Sequence, residues 1–488
     1  MFRYLFLISS LAAVAAPSAH ATDLWQVWQL AQANDPAFRQ AVADRNASMQ
    51  AKPEAWANLF PSIALNASRT WNNDTDSSTS LSPYSPTPLS YSQASNNLQN
   101  QWGAQLTQTL FNWQQFAAVK GAGFTVAQAE ATYESTLQGL IVSVAQAYFN
   151  VLNARDVLNA DLANQKSLGK QYQQTQQQYK VGLIAVTGVR QAEAGYDQAR
   201  AQVIADRQAL AQTEEALRAI TGQYITNLEA PRSALPLHPP QPENVNVWVT
   251  QGLKQNPSLI AAQYNSKVAE NQVAQQQGGY MPNLNLVLES TRLTSGGSSS
   301  VCQGTTCNPA SPANSHSADN QIGLQLSWNI FSGGATRAAV KQFQYQADSA
   351  MAQEIAQRRS IEQQVRNAYL AVLSGIAQVQ ATKQSVAASQ IALQATEAGL
   401  QVGTQTVLDV LTSRSTLLTA QKSYFIARYN YLVAVLQLEQ AAGTLTPADL
   451  KQLNDWLRPA NAPGTGSTAA PSSVPAAMTA PDAAGAAD

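Results

Sequence analysis

The 488-residue chain balances 29 Lys and Arg against 30 Asp and Glu, and charged residues make up only 12% of it. A net charge of −1 gives no electrostatic footprint for nucleic acid or anionic lipid, so neither is expected as a partner on charge grounds. With His20, His238 and His316 as its only histidines, and no Gly-rich phosphate loop, metal cluster or nucleophile elbow, it offers no ingredients for catalysis; no cofactor or metal is expected.

Met1-Phe2-Arg3-Tyr4, an apolar run from Leu5 to Ala16 and the small-residue ending Ala19-His20-Ala21 read as a secretory signal peptide over 1–21. The run is too short for a spanning helix, and the rival reading is an uncleaved anchor. Residue 22 is Thr rather than Cys, so lipid attachment there is not expected. No later stretch of about 18 uncharged apolar residues exists, so an exported chain is either periplasmic or inserted as a β-barrel.

The rest of the chain repeats itself at a constant offset of 221 residues. Pro61 recurs as Pro282, Val144 as Val365, Tyr148 as Tyr369, Gly182 as Gly403 and Gly222 as Gly443. One offset holding through every kind of segment means a duplicated structural unit. The first repeat, 22–222, opens with a helix over about Asp23–Ala57. Ile63, Leu65 and Ala67 then alternate with neutral polar residues, as do Trp102, Ala104, Leu106, Gln108 and Leu110. These two strands bracket a polar stretch at about 73–96. An apolar face backed by an uncharged polar face fits outer-membrane strands around a lumen; ordinary soluble hairpins are the alternative. Trp71, Trp102, Phe111, Trp113, Trp328 and Phe331 near strand ends fit an aromatic girdle against outer-membrane lipid.

A long helix follows over about Gln114–Tyr179, with a seven-residue repeat at Leu137, Val144, Val151, Leu158, Gln165, Tyr172 and Tyr179. That period dictates left-handed supercoiling, and about 66 residues reach ~100 Å. A turn at 180–187 leads to a helix over about Thr187–Thr221, which is half as long. Stacked end to end, the two shorter helices match the long one. The Pro-rich segment 223–246 links to the second repeat, 247–443. There the pattern recurs: a helix over about 247–278, alternation at Leu284–Leu288, a polar stretch at about 295–316, alternation at Ile322–Ile330, and a heptad from Val365 to Leu400. Cys302 and Cys307 lie in that polar stretch and are expected to form a local disulfide in an oxidising compartment; a zinc site would lack ligands. Thr446-Pro447 opens a short helix in 444–458. The Ala/Pro/Ser tail 459–488 is assigned no fold.

Four strands cannot close on themselves, and open edges do not survive in hydrocarbon, so several chains must share one barrel. Two chains give eight strands with a filled interior; three give twelve and leave a lumen, which favours a conducting homotrimer. The competing class is a non-conducting periplasmic or surface coiled-coil scaffold, or a solid soluble bundle. A metal-export role is weaker, given only five Met in the whole chain and, beyond the signal segment, two His.

Several segments carry a resemblance. Ala147-Tyr148-Phe149-Asn150-Val151-Leu152-Asn153-Ala154, Lys180-Val181-Gly182-Leu183, Val402-Gly403-Thr404, Val407-Leu408-Asp409-Val410-Leu411, Ala427-Arg428-Tyr429-Asn430-Tyr431-Leu432 and Gly443-Thr444-Leu445 resemble, in order, the TolC family of outer-membrane efflux ducts. The likeness runs from about Asp23 to Leu457. It implies an α+β membrane protein: a trimeric 12-stranded β-barrel, four strands per chain, continuous with a 12-helix periplasmic α-barrel. It further implies docking to a periplasmic adaptor and an inner-membrane RND, ABC or MFS transporter, for drug efflux or type I protein secretion. By the same resemblance, 223–246 and 444–458 form an equatorial belt. Val181, Gly182, Leu183, Val402, Gly403 and Thr404 form the adaptor-contacting tip. Asp409 matches the upper aspartate of a pair lining the closed periplasmic mouth, where three copies would favour cations; capping the helix that starts near Leu408 is the other reading. The second aspartate is replaced by Thr412. The family's polar latch uses an aspartate, a tyrosine and an arginine at positions that are Gly188, Leu400 and Gln405 here, with Thr187 kept. Gly188 and Leu400 have no side-chain hydrogen-bonding group, so the mouth is expected to be held differently.

Overall fold

The computed structural model describes residues 22–81, 88–231 and 236–458. The segments read as signal peptide (1–21) and tail (459–488) lie outside them. The chain opens with α1 (Leu24–Asn34), α2 (Pro36–Met49) and α3 (Ala51–Ala57), then β1 (Ser62–Ser80), β2 (Leu89–Phe111), α4 (Trp113–Lys180), α5 (Val186–Thr221) and the two-residue β3 (Ala230–Pro231). Its second half runs α6 (Val245–Gln255), α7 (Pro257–Gln277), β4 (Asn283–Gln303), β5 (Thr306–Cys307), β6 (Ser311–Ser327), α8 (Ala335–Gln401), α9 (Val407–Ala442), α10 (Pro447–Asn454) and β7 (Leu457–Arg458). The bounds of α5 and α9 differ by the same 221 residues at both ends.

Besides a break of the first at Gln50, the single helices expected over about 23–57 and 247–278 are interrupted at Asp35 and Asn256. Each precedes a proline, whose ring disfavours helical backbone in the residue before it. Asp35 sits at φ −61°, ψ 121° and Asn256 at φ −64°, ψ 120°. Both interruptions are repaired by capping: the Asp35 carboxylate accepts from Phe38 N at 2.6 Å, and the Asn256 carbonyl from Ser258 N at 3.0 Å and Leu259 N at 3.3 Å.

The sheet is antiparallel, in the order β1-β2-β4-β6, with β5 a short addition to the end of β4. The polar stretches expected as loops at 73–96 and 295–316 are largely strand. Pairing continues from Asn73↔Asn96 to Ser80↔Leu89, and from Ser295↔Ser315 to Ser299↔Ser311. A backbone ladder needs no apolar side chains, so Ser- and Asn-rich sequence extends the hairpins without forming a core. Gly297 allows one close approach: a Cβ there would fall 2.0 Å from Asn96 O on the neighbouring strand. The last strand ends at Ser327, short of the expected Ile330, and the Trp328 indole instead donates to Tyr280 O at 3.1 Å. Cys302 and Cys307 face each other across β4 and β5 and are joined by a disulfide.

The long helices bury the middle of the stripe their period dictates, leave Leu137, Leu158, Gln165, Tyr172, Val386 and Leu400 half-buried, and expose Tyr179 near the far end. Val144, Val151, Val365, Val372, Val379 and Leu393 are all buried. The densest core lies where both helical repeats meet, around Leu24, Ile141, Tyr148, Leu152, Val365, Leu432 and Leu436. Among the described residues no helix is long and apolar enough to cross a membrane. The two edge strands, by contrast, expose apolar side chains: Ile63 and Leu65 on β1 are 71% and 82% exposed, and Ile322 on β6 is 72% exposed.

Candidate functional site

At the end of the helices remote from the sheet, α4 turns into α5 and α8 into α9 by the same device. Gly182 and Gly403 take left-handed φ values of 76° and 79°, which L side chains rarely adopt. Leu183 N donates to Gln178 O at 2.9 Å, and Thr404 N donates to Gly399 O at 2.9 Å, closing both turns alike. The flanking Val181, Leu183 and Val402 are 70–75% exposed and make an apolar tip.

Asp409 lies in the first turn of α9 within a reciprocal cap. The Thr406 hydroxyl accepts from Asp409 N at 3.3 Å, while the Asp409 carboxylate accepts from Thr406 N at 2.8 Å and its Oγ1 at 2.7 Å. Those donors hold the Asp409 carboxyl below its usual range. Thr412, on the next turn, donates its hydroxyl back to Leu408 O at 2.9 Å. It also lines a groove between α5 and α9 together with Gln191 and Gly195. Thr187 and Gly188 begin α5; Leu400 and Gln405 flank the other turn. Among the described residues no hydrogen bond links Thr187 or Gly188 to Leu400 or Gln405.

The ties between the helix pairs lie higher, among residues the sequence reading did not single out. Asp161 of α4, 1% exposed, receives Lys422 of α9 at 2.6 Å. Asp206 of α5, also buried, faces Asp161 and accepts from the Gln202 amide at 2.9 Å. Burial above all, with Asp206 adding to it, pushes the Asp161 carboxyl up, against the opposing pull of Lys422. Arg414 of α9 reaches both Ser167 of α4 and Glu397 of α8. The Tyr429 hydroxyl donates to Asp156 at 2.6 Å. A signal for Asp161 was present: it interrupts a second seven-residue stripe, Leu140, Ala147, Ala154, Asp161, Leu168 and Thr175. A charge inside such a stripe implies a partner on the facing helix.

Long supercoiled helices joined to a four-stranded sheet with unpaired edge strands define one subunit of an outer-membrane channel whose wall is shared between chains. The chain belongs to the outer membrane efflux protein family, whose model matches residues 27–223 and 248–444, the two halves of the repeat. It is 34% identical over 445 residues to the outer membrane protein TolC of Escherichia coli strain K12, covering 90% of this chain and 86% of TolC. It is 26% identical over 437 residues to the alkaline protease secretion protein AprF of Pseudomonas aeruginosa, covering 89% and 87% of the two chains. The solved structure of CusC, a protein that forms a transmembrane channel, superposes with a TM-score of 0.70 at 18% identity, over 89% of this chain and 95% of CusC.

Proposed function

We propose that three copies of this chain close a 12-stranded barrel in the outer membrane and continue as a 12-helix tunnel into the periplasm. The assembly is the exit duct of an efflux or type I secretion system. One observation carries the reading: the four-stranded sheet, open at β1 and β6, leads directly into helices of 68 and 67 residues. Helices of that length span ~100 Å, far beyond a bilayer of about 30 Å, and can deliver cargo from a periplasmic partner to the outside. The relationship to TolC and to the protease secretion protein AprF supports both efflux and protein export. The duct has no energy source of its own. A periplasmic adaptor docks at the exposed tip turns around Gly182 and Gly403, and an inner-membrane RND, ABC or MFS transporter supplies the work. Asp409 lines the closed mouth as well as capping α9. The mouth is held shut by apolar contacts around Leu400 together with the Arg414 and Lys422 ties above it, in place of a polar latch at Gly188 and Gln405.

Conductance of the purified protein in planar lipid bilayers tests the duct. Discrete channels are expected; a coiled-coil scaffold gives none under any condition. Susceptibility of a deletion strain to dyes and bile salts, alongside assay of secreted proteins, distinguishes efflux from secretion.

A further inference from the structure

Outside the tunnel tip, the described chain holds a cavity of about 310 Å³ beneath the proline-rich segment 236–242, bounded by α6, α9 and α10. Its walls include Trp248, Trp456, Tyr431, His238, Glu439 and Asp449, with no Lys or Arg among the described residues that line it. The walls are fixed before anything binds. The Trp248 indole donates to Pro242 O at 2.9 Å, and His238 N donates to the Tyr431 hydroxyl at 3.2 Å, pinning the proline segment over the cavity. Asp449 is partly engaged, accepting from Thr446 N and Oγ1 at 2.8 Å each. Glu439 is different: its Oε2 is buried without a hydrogen-bond partner. An ionised carboxylate left so is costly unless a cation joins it. Burial first, and Asp449 second, push the Glu439 carboxyl up to about 7.

We propose that this cavity binds a small organic cation, a protonated amine on an aromatic or branched apolar body, with Glu439 as its counter-ion and Trp248 and Trp456 as its walls. Apolar, aromatic surroundings with one unmatched carboxylate suit such a cation, whose charge is drawn both to the carboxylate and to aromatic rings. An inorganic cation fits poorly: among the described residues no three His, Cys, Asp or Glu side chains converge to hold a metal ion. The volume admits a molecule of one ring with a short substituted chain, at the low end of ligand-site sizes. The inference concerns equatorial binding and stands whether or not the assembly conducts.

Calorimetric titration of the purified full-length protein in detergent with protonated benzyldimethylamine tests it, using isobutylbenzene as the uncharged isostere. The amine is expected to bind saturably and at least about tenfold more tightly than the isostere, as a charge-assisted hydrogen bond requires. Glu439→Gln should weaken the amine about tenfold while leaving the isostere unchanged, and Trp456→Leu should weaken both. Equal binding of the two probes, amine binding unaltered by Glu439→Gln, or no saturable binding each overturns the proposal. Should Glu439→Gln fail to assemble, the comparison of the two probes on the unsubstituted protein decides alone.

Discussion

Two single carboxylates lend themselves to tests at the residue scale. Asp409 has two roles that one substitution can separate. Asp409→Asn keeps a side-chain oxygen to accept from Thr406 N and removes only the charge, so the start of α9 persists. If the three copies converge on the axis, the channel should lose part of its preference for cations, read as a shift of reversal potential in a KCl gradient. An unchanged reversal potential leaves Asp409 as a helix cap and nothing more. Glu439 makes a prediction about pH. Its carboxyl titrates near 4.5 in an unfolded chain and at about 7 in the fold. Below the lower value it is protonated in both states and contributes no pH dependence. Between the two, the folded chain holds a proton that the unfolded chain has released, so stability falls as pH rises and stays lower above about 7. Glu439→Gln abolishes this penalty. Relative to the unsubstituted protein, the variant should gain about 3 kcal/mol on going from pH 4.5 to pH 8, one pKa unit being worth about 1.4 kcal/mol. Denaturation midpoints at the two pH values measure this, and a pH-independent difference refutes it.

At the scale of elements, the long helices were legible in the sequence and the joints were less so. A heptad of Val and Leu sustained over many turns has one structural solution: α4 follows it to within a residue of the bounds read from the pattern, and α8 carries the second heptad, Val365 to Leu400, within a helix that begins earlier, at Ala335. Asp35-Pro36 and Asn256-Pro257 announced their breaks by local chemistry, but the length match to α4 and α8 argued for continuity and concealed them. The hairpins were read too short for a different reason. Ser, Asn and Thr carry no periodic hydrophobic signal, yet their backbones pair as well as any others. The interhelical ties were the least legible, because Lys422 and Asp161 are 261 positions apart and meet only after α9 packs on α4. Their energetic role is testable. Lys422→Met removes the cation and leaves Asp161 facing Asp206 with both carboxyls buried. Breaking a fully buried pair costs about 3–5 kcal/mol; a quarter of the Lys422 side chain is exposed, so a loss of about 2 kcal/mol is expected. Adding Asp161→Asn should restore much of it, since the variant pair buries one carboxyl rather than two. A double variant no more stable than Lys422→Met would mean that the two side chains are not coupled.

On the scale of the whole molecule, strand count and strand edges decide the assembly. β1 spans 19 residues and β6 spans 17, and each pairs on one side only. An edge strand directs about every second residue's N–H and C=O away from its partner. In hydrocarbon each unsatisfied group costs several kcal/mol, so the two edges of a lone chain would cost tens of kcal/mol. No plausible gain from burying Ile63, Leu65, Ile322 and Leu324 in lipid, at about 2 kcal/mol each, offsets that. Joining β1 of one copy to β6 of the next removes both edges at once, and the count of copies then follows from the interior. Eight strands leave a barrel packed with side chains, whereas twelve leave an open lumen for the helices to continue. This much could be argued from the alternating strands before any coordinates. The cavity beneath the proline segment could not, because it is built from four separate segments of the chain: His238 on the proline segment, Trp248 on α6, Tyr431 and Glu439 on α9, and Asp449 and Trp456 in and just after α10. Light scattering of the detergent-solubilised protein should therefore give a protein mass of three chains, with no folded single-chain species on dilution. Single-channel conductance should appear only in the fraction of that mass. A folded lone subunit that retains its strand signal in detergent would mean that the sheet satisfies its edges by itself, and then no shared lumen exists to conduct.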